Sequence, residues 1–215
     1  MCGRFVVLTR EEVEEVVAAV ESRDRGAFGR LELAGRAQAF PGSTVALFGR
    51  GGRESGLHIA EATWGFQAEW SKKPVFNTRI ESAMAGAALW REAVRDGRCV
   101  VPAASFFEPH ATETARSPQT GRPVKRAYRF ADPDGAPLLL AGVQAGGCCS
   151  VVTCEPNRWV APLHPRMPLV LRFEEVETWL SPDWPSLADR ADVALAVAPE
   201  FPDAPIPEHP QLSLF

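Results

Sequence analysis

The sequence predicts an α+β fold: one domain of mainly antiparallel, barrel-like twisted sheet with flanking helices. Three observations predict it. Short runs of β-branched and aromatic residues recur along most of the chain, bounded by Gly, Pro and Asp. Helical periodicity appears in only a few places. At 215 residues, 46% of them hydrophobic, the chain can bury one good core, and two domains would each be small.

Arg4–Leu8 reads as a strand. Thr9 follows as an N-cap, with Glu12 completing a capping box. Val13, Val16, Val17 and Val20 repeat at helical spacing and predict a helix over 10–21. Val45–Gly49 and Leu57–Trp64 read as strands, split by a Gly-rich turn at Gly49, Gly51 and Gly52. Ser82 is placed to cap a helix running to Arg95, with Gly97 as its stop. Arg98–Pro102, Ala127–Ala131, Leu138–Val143 and Cys149–Thr153 are further strands, and Asp134-Gly135 suggests a hairpin turn. Glu174–Leu180 reads as a short helix. Thr114–Ala131 carries Arg116, Arg122, Lys125, Arg126 and Arg129 and no acid. It suits a solvated surface loop or a basic lip beside a nucleic-acid groove. From Pro199 onward five prolines fall in 17 residues, so the expected organisation is a domain over 1–198 and an extended tail over 199–215.

Bulk properties narrow the function classes. A net charge of −4 argues against an all-over electrostatic nucleic-acid binder, so any DNA contact needs a locally basic groove. No apolar run approaches membrane-spanning length, and the start lacks the regions of a signal peptide. The odd set of cysteines (Cys2, Cys99, Cys148, Cys149, Cys154) fits a reducing cytoplasm better than a disulfide framework. A metal site from Cys148, Cys149, Cys154 and His164 lacks paired Cys-x-x-Cys spacing, so no metal and no cofactor are expected.

Cys2 carries the most chemistry. Removal of Met1 would leave an amine and a thiol on neighbouring carbons. Such a 1,2-aminothiol condenses with an aldehyde to a Schiff base, and the thiol then closes a thiazolidine. The amine titrates near ~8 and a free thiol near ~8.5, so both reactive forms are accessible near neutrality. Three later segments supply partners: Phe76-Asn77-Thr78-Arg79-Ile80-Glu81, Arg98-Cys99-Val100-Val101-Pro102 running to Phe106-Phe107-Glu108, and His164-Pro165-Arg166-Met167-Pro168. Singly each has a structural explanation. Together they offer a nucleophile, an orienting amide, a carboxylate beside aromatics and an imidazole.

With Cys2-Gly3-Arg4-Phe5, these segments in this order resemble the SRAP (SOS-response-associated peptidase) family, from Cys2 to about Leu171; Trp64-Gly65-Phe66 and Trp70 also fit. The resemblance implies shielding of abasic sites in single-stranded DNA through a covalent crosslink. It implies Cys2 as crosslinking nucleophile, Asn77 as its positioner, and Glu108 and His164 as catalytic. It implies Arg4, Arg79 and Arg166 at the DNA backbone, Pro41 and Trp70 contacting or wedging the nucleic acid, and Thr153 lining the pocket. Two departures touch the DNA side: Ala37-Gln38-Ala39-Phe40-Pro41 replaces a Tyr-Asn pair before Ala-Pro, and Pro109 follows Glu108 where an aromatic is usual.

The terminal Gln211-Leu212-Ser213-Leu214-Phe215 resembles a bacterial sliding-clamp-binding peptide. Leu212, Leu214 and Phe215 would fill an apolar pocket and Gln211 would bond at its rim. The expected partners are therefore single-stranded DNA and a sliding clamp, for a monomer at replication forks. Rival readings are an N-terminal-nucleophile hydrolase, a peptidase that cleaves its own N-terminus or another protein, and a non-enzymatic adaptor for single strands and clamp.

Overall fold

The structure, a computed structural model, describes residues 2–27, 29–51, 56–117 and 120–201. The clamp-like residues Gln211, Leu212, Leu214 and Phe215 lie outside these, as does Gly52 of the expected turn.

In chain order the elements are β1 (Phe5–Val7), α1 (Arg10–Ser22), β2 (Gln38–Ala39), β3 (Thr44–Arg50), β4 (Leu57–Trp64), β5 (Phe66–Ala68), β6 (Ser71–Val75) and β7 (Asn77–Arg79). Then come α2 (Ile80–Met84), α3 (Arg91–Asp96), β8 (Arg98–Arg116), β9 (Pro123–Ala131), β10 (Leu138–Ala145) and β11 (Cys148–Cys154). The rest are β12 (Met167–Pro168), β13 (Val170–Leu171), α4 (Val176–Leu180) and β14 (Ala196–Pro199). The expected α+β class is what the chain adopts: mostly antiparallel sheet with a few flanking helices.

The long strand β8 organises the fold. One edge pairs with β9 over 106–116 and with β10 over 98–103; the other meets β1 and β3. Since β10 pairs with β11, β11 with β4, β4 with β3 and β3 with β8, the sheet is partly ring-like. Its interior is filled by Phe5, Phe48, Trp64, Phe106, Phe130 and Leu140, all essentially without solvent contact. Phe106 and Phe130 stack across β8 and β9 with ring centroids 4.9 Å apart.

Thr9 caps α1 as expected: its hydroxyl accepts from the Glu12 N–H, and the Glu12 carboxylate accepts from the Thr9 N–H. Val13, Val16, Val17 and Val20 form the buried stripe.

Four expectations change. The helix from Ser82 to Arg95 is two short helices, and Ser82 lies inside the first rather than at its cap. The chain breaks at Gly86, whose φ of +66° is left-handed, and this turns Trp90 inward to meet Phe66 edge-on at 5.3 Å. Asp134-Gly135 does form a turn, with Asp132 accepting from Asp134 and Ala136. It is no hairpin, because β9 and β10 each pair with β8 instead of each other. Gly49 lies within β3, between His58 and Cys99, rather than in a turn. Most of Thr114–Ala131 is strand, since β8 and β9 extend as a ladder as far as Arg116 and Pro123, and the expected loop shrinks to the short connection between them.

Gly97 ends α3 as expected, and packing explains why nothing larger fits. A Cβ there would lie 1.9 Å from the Gln144 carbonyl oxygen, where β10 passes. Gly97→Ala should cost about 3 kcal/mol, seen as a Tm several degrees lower in thermal unfolding.

Candidate active site

Cys2 precedes β1 and is wholly buried. Its Sγ donates to the Arg4 carbonyl at 3.8 Å. Asn77, opening β7, reaches across the fold: its Nδ2 donates to the Cys2 carbonyl at 2.9 Å. β7 runs parallel to β11, with Asn77 opposite Val151 and Arg79 opposite Thr153. Asn77 is also buried, and its Oδ1 meets no hydrogen-bond partner among the described residues.

Glu108 lies on β8 on the same face as the buried Phe106, itself 0% exposed. Removal from water pushes its carboxyl up to about 7, against the opposing pull of the terminal ammonium charge. Its Oε2 is 3.8 Å from Nε2 of His164. His164 sits in the β11–β12 connection, where its Nδ1 is 2.8 Å from the Arg166 carbonyl. Burial pushes the imidazole below its usual value, partly offset by that backbone contact; the terminal amine and Lys125 push it further down. Near neutral pH Glu108 therefore divides between its acid and its carboxylate beside an imidazole held below its usual value, an arrangement able to exchange a proton. The Cys2 thiol is itself pushed well up, first by burial and then by the Glu108 charge. Cys2, Asn77, Glu108 and His164 thus converge from four separate segments.

Arg166 adjoins this cluster. It grips Glu81 through two bonds of 2.8 and 2.9 Å, and its Nη2 donates to the Thr153 carbonyl at 2.8 Å. That pairing holds the Glu81 carboxyl below the usual carboxylate range. Thr153 is buried on β11 and its hydroxyl donates to the Thr78 carbonyl at 3.4 Å. Arg79 stays exposed at the start of α2. Arg4 stacks over the Phe107 ring at 3.9 Å and forks onto both oxygens of Glu200 at 2.6 Å.

Pro41 and Trp70 are set apart. Pro41 is half-buried in the turn before β3, next to an exposed Phe40. Trp70 is 73% exposed, between β5 and β6. Among the described residues, no hydrogen bond or ring contact joins either to Cys2, Asn77, Glu108 or His164.

Sequence reasoning missed the carboxylates that hold the arginines. Glu81 lies within the quoted Asn-Thr-Arg-Ile-Glu segment and was open to notice. Glu200 gave no signal, because it lies in a Pro-rich stretch, directly after the strand β14 that adds to β9. Among the described residues, no group of three His, Cys, Asp or Glu is placed to hold a metal ion. Nor is any helix there long and apolar enough to cross a membrane.

A family model described as SOS response associated peptidase (SRAP) matches residues 1–201. The chain belongs to the SRAP family. Similar proteins include two from Bacillus subtilis, the abasic site processing proteins YoqW and YoaM. Each is 26% identical, over 146 and 142 residues respectively, covering 60% of this chain and 59% of the relative. The match thus spans about three fifths of those SRAP relatives. Among solved structures, a phage-related protein from Bordetella bronchiseptica aligns over 92% of this chain and 93% of its own, with TM-score 0.62 and 21% identity. A second B. bronchiseptica protein aligns over 92% and 99%, with TM-score 0.65 and 21% identity. At that identity the likeness establishes a shared fold.

Proposed function

We propose that this SRAP protein senses abasic sites in single-stranded DNA and shields them by a thiazolidine crosslink through Cys2, once Met1 is removed. The carrying observation is the convergence of Cys2, Asn77, Glu108 and His164 in a buried site. The names of the Bacillus relatives point to the same substrate.

The roles follow from the geometry. An abasic deoxyribose rests mainly as a cyclic hemiacetal. Opening it requires a proton on the ring oxygen and loss of one from the anomeric hydroxyl. Glu108 in its acid form and neutral His164 can supply and accept these. The Cys2 amine attacks C1′, water leaves, and an imine forms. The thiol then adds across the C=N bond: a C–S bond forms and the thiol proton passes to nitrogen. A thiol held protonated favours this order, with the amine attacking first. Asn77 fixes the Cys2 backbone through its Nδ2.

Arg4, Arg79 and Arg166 serve the flanking phosphates in this reading, with Trp70 and Pro41 at the bases and Thr153 lining the pocket. The protein acts as a monomer with its domain over 1–198. The 199–215 tail, through Gln211, Leu212, Leu214 and Phe215, docks on a sliding clamp.

The test is a denaturing gel of the protein with a single-stranded oligonucleotide containing one abasic site. A heat-stable shifted band, absent with intact DNA, is expected; its absence from Met1-free protein overturns the reading. Glu200 gives a sharper check on the DNA side. Its carboxylate grips Arg4 as a phosphate would, so Glu200→Gln should release Arg4 for DNA. Binding to single strands should tighten about fivefold, equivalent to about 1 kcal/mol, in fluorescence anisotropy.

A further inference from the structure

The outer half of the β8–β9 ladder sorts its charges by face. Successive side chains on a strand alternate, so Arg126 and Tyr128 point one way and Lys125, Ala127 and Arg129 the other. The first set is engaged internally. The Tyr128 hydroxyl donates to Glu113 at 2.7 Å, Arg126 lies 3.6 Å from the same carboxylate, and His110 Nε2 is 3.7 Å from its other oxygen. This knot sits where β8 carries extra residues between Pro109 and Thr114.

The other face differs. Arg129 lies opposite Phe107, whose ring supports the Arg4 guanidinium. Ala127 accepts the backbone N–H of Glu200, the residue Arg4 holds. Lys125 is exposed, and its charge is felt at His164. Neither Lys125 nor Arg129 meets a carboxylate within 4.0 Å among the described residues. Arg4, Arg129 and Lys125 therefore follow one another along one sheet face. The two on β9 are separated by about 13 Å at strand spacing, and the row begins at Arg4, two residues from Cys2. Among the described residues, a protein of net charge −4 has thus left two cations without a carboxylate within 4.0 Å on the face that carries Arg4.

We propose that Lys125 and Arg129 continue the Arg4 phosphate contact as a track for the single-stranded backbone leaving the Cys2 site. This rests on the abasic-site reading. The occupant is a polyanion because the face offers two uncompensated cations and no acid from β9. It is a single strand because the track continues from a site that must admit an unpaired sugar.

The experiment is anisotropy of single-stranded DNA carrying a tetrahydrofuran abasic analogue, which cannot crosslink, across a salt series. The proteins are wild type, Lys125→Ala, Arg129→Ala, the double variant, and Arg10→Ala on α1 as a charge control. The slope of log K against log salt should flatten by about 0.7 for each single variant and about 1.4 for the double. Affinity at low salt should fall roughly tenfold in the double variant, with Arg10→Ala matching wild type. A slope unchanged in both single variants overturns the track. Lys125 is exposed on the outer ladder, so its variant tests the idea even if Arg129→Ala impairs folding. Natural abasic DNA distinguishes the two failures: a wild type that crosslinks while slopes stay unchanged removes the track alone. A wild type that neither binds the analogue nor crosslinks removes both.

Discussion

Cys2→Ser protein, with Met1 removed, should form no heat-stable adduct with abasic single-stranded DNA. The fold should survive, because Ser is nearly isosteric and its hydroxyl can still donate to the Arg4 carbonyl that Sγ meets now. A stability change within about 1 kcal/mol is expected. The amine remains, so an imine can still form, but the hydroxyl is the weaker trap and the imine hydrolyses on denaturation. Borohydride separates the steps: reduction should capture the imine from Cys2→Ser protein as a stable band. If untreated Cys2→Ser protein gives the same heat-stable band as wild type, the thiol is not the trap.

Glu108→Gln should separate stability from chemistry. The Glu108 carboxyl rises from its ordinary 4.5 to about 7 in the folded protein. Between those values the folded state holds more protons than the unfolded chain. The protonated carboxyl's advantage is full below about pH 4.5 and is lost as pH rises through about 7. That shift corresponds to about 3 kcal/mol. Gln cannot ionise, so the variant should be more stable than wild type at pH 8 by about that amount, with Tm higher by about 6–10 °C. At pH 4.5 the two should nearly coincide. The crosslinking rate should fall by on the order of 10²–10⁴-fold in the same variant, because the proton donor is gone. In wild type the rate should decline as pH rises through about 7. Thermal scans at both pH values, with single-turnover gels, check both halves. A variant less stable at pH 8 would mean that Glu108 is held charged rather than neutral.

Elements with a local cause were legible in the sequence. The capping box at Thr9 and Glu12, the valine stripe of α1 and the strand Leu57–Trp64 each follow from neighbouring residues. The features that differed depend on distant partners. β8 extends to Arg116 because β9 returns along it, and no local pattern separates that ladder from a polar loop. The helix from Ser82 breaks at Gly86, and the turn there brings Trp90 to the distant Phe66. In the site, residue types and order singled out Cys2, Asn77, Glu108 and His164, and the fold gathers these four. The pairings of Arg4 with Glu200 and Arg166 with Glu81 were hidden, since the partners lie 196 and 85 residues apart.

In the proposed crosslink both the amine and the thiol of Cys2 bond to the sugar. Mass spectrometry of the nuclease- and protease-digested crosslink tests it most directly. The expected product is an N-terminal peptide beginning at Cys2 that carries the deoxyribose remnant with loss of one water. Neither the α-amine nor the Cys2 thiol of that peptide should react with its usual reagent. An adduct on a lysine, or on a peptide whose Met1 is still attached, would contradict it.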